Sequence, residues 1–243
     1  KKDSKGKYEE EKLLWFYNNS DNTYAPAAMV DRMPYFTTTA NLPTPVFNPA
    51  NYSILKAAVA NERELSTNAI VNLTLDKDDA SNRLGVNVSG VCNELYSAEH
   101  PYVMVYLIEN DVEAISQAGV SGKYFQQHLT RAYNAIWGEQ IEWTDKFFTY
   151  NCSFDIDPAW NKDNMEVVAF VYNYDADDIK NCKIENAARQ LLNATSGIST
   201  STIQNTASTV VARYTLNGTR VNNDYHGITI EKYSNGKVVK VMR

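Results

Sequence analysis

The chain lacks an excess of positive charge. Its 243 residues carry 23 Lys and Arg against 29 Asp and Glu, for a net charge of −6. A protein that follows a phosphate backbone needs clustered Lys and Arg. We therefore expect no nucleic-acid partner.

Long apolar runs are also missing. No stretch approaches the roughly 18 apolar residues that would span a bilayer. The first residues, KKDSKGKYEEEK, have no apolar segment of the kind that a signal peptide requires. We expect no membrane-spanning helix, and either a mature, processed protein or a fragment of a longer one.

Cysteine is scarce, and its spacing excludes two common sites. Cys92, Cys152 and Cys182 are too far apart for a zinc site and form no Cys-x-x-Cys pair. One disulfide with a spare thiol and three buried thiols are both compatible with this pattern.

Residues typical of hydrolytic catalysis are few. The chain has three histidines and no Gly-x-Ser-x-Gly motif, so we expect no enzyme and no catalytic residues. Acidic turns offer oxygen ligands, and the best calcium candidate is Asp155, Asp157 and Asp163. None of these turns matches an EF-hand, and Asp is common in solvated turns, so we expect no required cofactor, with calcium as the alternative.

The chain is rich in residues that suit strands. It has 16 Tyr, and Thr and Asn are frequent. Such residues suit half-exposed strands and the turns between them. Apolar or alternating runs predict strands at 69–75, 84–91, 102–108, 146–156 and 165–172, whereas 3.6-residue periodicity predicts helices at 7–17, 51–63 and 178–192. The prediction is a mainly β fold with some α, built on an antiparallel β-sandwich.

Composition divides this pattern into segments. Residues 1–62 are helical and Pro-rich, with five of the seven prolines between residues 24 and 50. Residues 63–192 form the predicted sandwich with one helix, and 193–208 are a Ser/Thr-rich linker. Residues 209–243 predict a small β module, because Asn217-Gly218 and Asn235-Gly236 each separate two strand-like runs.

The most informative stretch follows the strand at 102–108. Residues 110–143 make a long, aromatic-rich excursion, which is where β-proteins often place binding surfaces. We take Tyr124, His128, Arg131, Trp137 and Trp143 as candidate binding residues. For His128 and Arg131 the alternative role is to brace the excursion by hydrogen bonds, and for the tryptophans it is core packing rather than an exposed aromatic platform.

Two regions of the chain resemble sequences of the Bacteroidetes. The run Leu107-Ile-Glu-Asn-Asp111, then His128-x-x-Arg131-Ala132, Trp137-Gly138-Glu139 and Val167-Val-Ala-Phe-Val-Tyr-Asn173 resembles the Omp-twenty-eight outer-membrane protein family. The tail, with Tyr214, Gly218, Val221, Ile228, Ile230 and Gly236, is similar to C-terminal sequences that sort proteins to type nine secretion. Members of the family join a thioredoxin-like domain to a β-sandwich, which implies that residues 1–62 are a partial thioredoxin-like or irregular helical segment.

These resemblances set the functional expectation. They imply a non-enzymatic, extracytoplasmic protein at the outer membrane or cell surface, which binds surface proteins or glycans through the 110–143 excursion. The alternative is a thioredoxin-like redox or chaperone protein whose reactive half lies upstream of this chain. Residues 1–50 contain no cysteine that would support that redox role.

Overall fold

The computed structural model describes residues 9–20, 25–34, 44–193, 210–215, 219–222, 225, 228–233 and 238–242. The chain forms two compact units, residues 1–194 and residues 195–243. Taken together, the described residues are mainly β with some α, and the helices lie in the first unit, which confirms the predicted fold class.

Two antiparallel sheets build the first unit. Their strands are Ala69–Asp78 (β1), Arg83–Cys92 (β2), Pro101–Glu109 (β3), Leu129–Tyr133 (β6), Glu139–Gln140 (β7), Phe147–Asp155 (β8), Met165–Asn173 (β9) and Ile184–Leu191 (β10). One sheet has the strand order β1-β2-β8, and the other has the order β10-β9-β3-β6, with β7 also paired to β3. The five predicted strands are all confirmed.

The main core lies between the two sheets because alternate residues of each strand face inward. In β2, Leu84, Val86 and Val88 are buried while the residues between them are partly exposed. They pack with the fully buried residues Val105 of β3 and Val167 of β9. Burial of these side chains is the main driving force for folding this unit.

Strands β3 and β9 are also covered on their second face. Met104 of β3 and Phe170 and Tyr172 of β9 are buried there, away from the main core. Helix α1 (Glu9–Asn18) and the irregular residues that follow it contribute further buried side chains, including the fully buried Tyr17. This double burial explains the almost continuous apolar run of both strands.

A buried arginine belongs to this second layer. The Arg32 guanidinium lies over the rings of Tyr17, Phe170 and Tyr172, at 4.9, 5.0 and 4.4 Å from their centroids. Within the described part of the chain, no carboxylate pairs with it. Burial raises the pKa of the Tyr17 hydroxyl, which keeps it neutral beside the guanidinium.

Helix α2 (Tyr52–Glu64) confirms the helix predicted at 51–63. Ala58 is buried on its inner side. Val59, the next residue, is exposed.

The helix predicted at 178–192 is wrong. A short 3-10 turn at Ile179–Asn181 precedes strand β10, which pairs with β9 from Ile184↔Tyr172 to Leu191↔Glu166. Ala and Gln favour helix only weakly, by less than about 1 kcal/mol per residue. Pairing with the otherwise open edge of β9 outweighs that preference.

The second unit is a four-stranded antiparallel sheet with the order β12-β11-β13-β14. Its strands are Val210–Thr215 (β11), Arg220–Val221 (β12), Ile228–Tyr233 (β13) and Val238–Met242 (β14), as the tail pattern predicts. The Arg213 Nε donates to the buried Glu231 carboxylate at 2.7 Å. Both Asn-Gly turns and the predicted linker, apart from Asn193, lie outside the described residues.

Candidate functional site

The excursion begins with a β-hairpin that we call the hairpin arm (residues 112–126). Strand β4 (Val112–Glu113) pairs with β5 (Phe125–Gln126), and the Ala114 N–H donates to the Tyr124 carbonyl at 2.9 Å. An exposed ion pair, Lys123 to Glu113 at 2.9 Å, links the two sides where the strands end. The arm therefore has a defined conformation up to its last paired residues.

The apolar tip of the arm (residues 114–122) contains no charged residue. Gly119 and Gly122 have φ values of +77° and +106°, which only glycine adopts readily, and a Cβ on either would meet no atom within 4 Å. The tip thus turns in open space. Because nothing packs over it, its side chains are available for contact.

Four large apolar side chains of the arm are exposed. Ile115 is fully exposed, and Val120, Tyr124 and Phe125 each expose more than 40% of their surface. Single exposed apolar residues are common, but four on one short hairpin are a concentration of exposed apolar surface, and such surface marks sites of interaction.

The first brace of the arm is an ion pair at the end of β3. Glu109 is 5% exposed, and its carboxylate accepts from Arg131 Nε at 2.7 Å and from the Asn161 N–H at 2.9 Å. The Arg131 guanidinium also lies over the Trp160 ring, at 5.4 Å from its centroid. Strand β6, which follows the arm, is thereby fastened to the strand that precedes it.

The second brace surrounds the buried Glu166, on the opposite face of the sheet. Its carboxylate lies 3.7 Å from His128 Nε2 and 2.5 Å from Arg189 Nε, and it accepts from Asn110 Nδ2 at 3.3 Å. The Asn110 side chain also accepts the His128 N–H at 2.8 Å. This bond holds His128 in the left-handed region, at φ +55°. Together the two braces fix both ends of the arm.

The predicted site residues therefore separate into distinct groups. His128 directly precedes β6 and Arg131 lies within it, where both belong to the braces, whereas Tyr124 lies on the arm. Trp137 packs against Phe16 and Tyr174, with centroid distances of 5.4 and 5.3 Å.

Trp143 packs elsewhere, against Tyr96 and Phe148, at 4.9 and 4.6 Å. Across the described residues, no ring contact joins Trp137, Trp143 and Trp160 to one another. Tyr124 and Phe125 are both exposed on the arm, whereas Trp137 and Trp143 pack against other aromatic side chains.

The acidic turn does not form a ligand set. Asp157 accepts the Ala159 N–H at 2.9 Å, and Asp163 accepts from the Asn193 side chain. In the part of the chain that the structure describes, which includes Asp155, Asp157 and Asp163, no three Asp, Glu, His or Cys side chains are grouped to hold a metal ion.

All three cysteines are free thiols. Burial raises the pKa of the Cys152 thiol to about 11 and also raises the pKa of Cys182. Both thiols are therefore protonated at neutral pH, the form that does not attack disulfides.

One recess beside β6 is apolar. It encloses about 270 Å³ between α1 and the sheet. It is lined by Leu13, Leu14, Tyr106, Thr130, Tyr133 and Ile136. Its lining contains no acid and base pair that would support proton transfer.

Sequence reasoning missed Glu109, Asn110 and Glu166. Glu109 and Glu166 stand at the ends of two apolar runs, and a charged residue inside or next to a buried strand is a signal for a brace. The stacking of Arg32 on aromatic rings gave no comparable signal, because Arg32, Tyr17 of α1 and the two rings of β9 come from three separate segments.

Fold and site together define an antiparallel β-sandwich protein that displays an apolar hairpin arm on a braced base. The family model for Outer membrane protein Omp28 matches residues 15–196, and the chain belongs to this family. It is accordingly an extracytoplasmic protein of the outer membrane or cell surface. No helix among the described residues is long and apolar enough to cross a membrane.

Two solved structures are similar to this chain. HBP35 of Porphyromonas gingivalis matches with 19% identity and a TM-score of 0.61, over 96% of this chain and 80% of that one, which supports the fold. A domain of the outer membrane lipoprotein Omp28 from the same organism is 18% identical with a TM-score of 0.34, over 51% of this chain and 88% of that one. No curated protein matches this chain.

Proposed function

We propose that this is a non-enzymatic binding protein of the outer membrane or cell surface, which engages a partner protein through the hairpin arm. The observation that carries the proposal is the exposure of Ile115, Val120, Tyr124 and Phe125 on one braced hairpin. Aromatic residues are enriched at protein interfaces, and a cluster of anchors at the centre of a contact supplies most of its binding energy.

A protein fits this arm better than a lipid surface does. Peripheral membrane segments combine an apolar face with several Lys or Arg residues that attract anionic headgroups. The arm has one cation, Lys123, and it is paired with Glu113. The whole chain has a net charge of −6, which adds repulsion from an anionic surface.

A redox role finds less support. This alternative comes from the thioredoxin-like domain that the family resemblance implies. The three cysteines of this chain are free, and the raised pKa values of Cys152 and Cys182 disfavour the thiolate. A redox function would therefore need cysteines other than these three.

The second unit extends the proposal to export. Its strands β11, β12 and β13 carry Tyr214, Val221 and Ile230, which match the sorting-tail pattern. We expect that removal of residues 209–243 retains the protein in the periplasm. Protease added to whole cells would then leave the shortened protein intact, and digestion equal to that of the full chain would contradict this role.

Site-specific photo-cross-linking tests the arm. A photoreactive residue at Ile115 is compared with one at Leu95, which is 74% exposed and lies outside the arm. In intact outer membranes, position 115 should give one adduct of discrete mass that protease destroys, and position 95 should give none. The double substitution Tyr124→Ser and Phe125→Ser should abolish the adduct.

Three results would contradict the proposal. These are equal adducts from positions 115 and 95, an adduct at 115 that consists of lipid or glycan alone, and an adduct unchanged by the double substitution. Both substituted side chains are exposed, so the variant keeps the fold, and unchanged tryptophan fluorescence verifies this.

A further inference from the structure

The outer face of the β1-β2-β8 sheet has an ordered arrangement of side chains that the proposed function does not use. Outward-facing residues of the three strands align in rows that cross the sheet, as the strand register defines. The two central rows are Asn72–Ser89–Thr149 and Thr74–Asn87–Asn151. We use the name polar face for these six residues together with the bordering row of Ile70, Val91 and Phe147.

One apolar row borders the central rows. It consists of Ile70, Val91 and Phe147, which are 54%, 45% and 48% exposed. On the far side of the central rows the next row is Asp76, Gly85 and Ser153, and its central residue has no side chain. The polar face therefore offers an apolar strip next to a broad, low surface of short side chains.

The central rows carry no charge, although 21% of the chain is charged. Asn87 Nδ2 donates to Thr149 Oγ1 at 3.1 Å and to Asn151 Oδ1 at 2.9 Å, which fixes the orientation of the Asn87 amide. Within the described residues, Asn72, Thr74 and Ser89 make no side-chain hydrogen bond. Each of these three groups can both donate and accept towards a ligand.

The chemistry of the polar face selects the class of ligand. Amide and hydroxyl groups suit a partner rich in hydroxyls, and the exposed Phe147 ring suits an apolar C–H surface beside them. A carbohydrate ring presents both. The far end of the sheet surface has a net negative charge, because it carries the carboxylates of Asp76, Asp78 and Asp155 and a single cation, Arg83. This charge would repel an anionic ligand.

A protein partner fits this surface less well. Protein interfaces concentrate their apolar anchors at the centre, within a polar rim. Here the centre is uncharged and polar, and the apolar row lies at one end. From Phe147 to Ser153, one row beyond the polar face, the sheet surface extends about 20 Å at roughly 3.4 Å per residue, which accommodates several sugar rings in line.

We propose that the polar face binds a neutral polysaccharide. The chain lies along the strands, with one sugar ring packed on Phe147 and its neighbours hydrogen-bonded to the amides and hydroxyls of the central rows. This contact is independent of the hairpin arm, which belongs to a different part of the first unit.

Affinity electrophoresis of the full chain tests this inference. Native gels are cast with one neutral polysaccharide each, namely dextran, amylopectin, laminarin or mannan, and with dextran sulfate as the anionic comparison. At least one neutral polymer should retard the protein, and dextran sulfate should not. Thr149→Lys places a long cation in the central rows, and Phe147→Ser removes the ring. Each should raise the dissociation constant, obtained from mobility against polymer concentration, about tenfold.

Two controls keep the result specific. Asn72→Lys, in the same row but on a different strand, should reproduce the loss. A loss with Thr149→Lys but not with Asn72→Lys would come from a local change in β8 and would count against the inference. Tryptophan fluorescence checks the fold of all variants. Tyr124→Ser, on the hairpin arm, should leave retardation unchanged. Retardation by none of the neutral polymers, equal retardation by dextran sulfate, or equal loss with Tyr124→Ser would each overturn the inference. Self-association abolished by Phe147→Ser, without any retardation, would assign the face to a second copy of the chain instead.

Discussion

The Arg131 brace can be tested through stability. In Arg131→Met the Glu109 carboxylate remains buried and loses its guanidinium partner, while the methionine still covers Trp160. Breaking a buried ion pair by removing one partner costs about 3–5 kcal/mol. Arg131 is about a quarter exposed, so water replaces part of the lost interaction. We expect a loss of about 2–3 kcal/mol in the free energy of unfolding.

Urea unfolding followed by tryptophan fluorescence measures this loss. All four tryptophans lie within residues 1–194, so the signal reports the first unit alone. The matched control is Lys123→Met, which breaks the exposed pair with Glu113 and should cost less than about 0.5 kcal/mol. The midpoint should fall for Arg131→Met at an unchanged slope.

A second variant removes the buried charge as well. In Glu109→Gln with Arg131→Met no uncompensated carboxylate remains, and the amide oxygen can still accept the Asn161 N–H. This double variant should be more stable than Arg131→Met alone, because an unpaired buried charge costs more than a buried amide. The reasoning is refuted if Arg131→Met costs no more than Lys123→Met, or if the double variant is the less stable one.

Three further predictions follow from single sites. Gly138→Ala should lower the free energy of unfolding of the first unit by more than about 2 kcal/mol, because φ is +70° there and the added Cβ would lie 2.4 Å from the Val103 carbonyl oxygen. In the control Gly119→Ala, φ is +77° but the Cβ would meet no atom within 4 Å, so urea unfolding should show a loss of only about 1 kcal/mol. The pKa of the Cys152 thiol, about 11, lies above the ordinary thiol value, so the stability that the buried thiol contributes is complete below pH 9 and declines as the pH rises towards 11. Iodoacetamide should therefore label native Cys152 measurably only in that range. Labelling at pH 7 at the rate of the urea-unfolded chain would contradict this. Ile115→Ser should change unfolding stability by less than about 0.5 kcal/mol, and a larger loss would mean that the tip packs within the chain.

Sequence patterns predicted the sandwich strands well because their burial follows the strand period. The alternation in Leu84–Val91 and the apolar runs of β3 and β9 each correspond to an observed strand. The segment 178–192 failed because its Ala, Gln and Leu residues have helical spacing, while the open edge of β9 determines its conformation. Such an edge is visible only once the sheet is assembled.

The candidate site was predictable in place but not in composition. The length of the 110–143 excursion and its aromatic content located the hairpin arm. Ile115 is exposed and Trp137 is partly buried, a difference that depends on which residues the assembled sheets cover. The sequence favoured the tryptophan because tryptophan is the more common binding residue at interfaces. Glu109 and Glu166 were missed because a carboxylate at a strand end reads as solvated until its partners are known.

The braced base also bears on how the arm would bind. Association costs free energy for every segment that becomes ordered, and a contact formed by an already fixed element avoids much of that cost. Here Glu109 with Arg131, and Glu166 with His128, hold the arm at both ends. Only the apolar tip, with Gly119 and Gly122, remains to be ordered by a partner. Breaking a brace should therefore weaken binding through faster dissociation, even though no brace residue is among the exposed apolar side chains of the arm. Substitution at Ile115 should weaken binding without changing the stability of the fold.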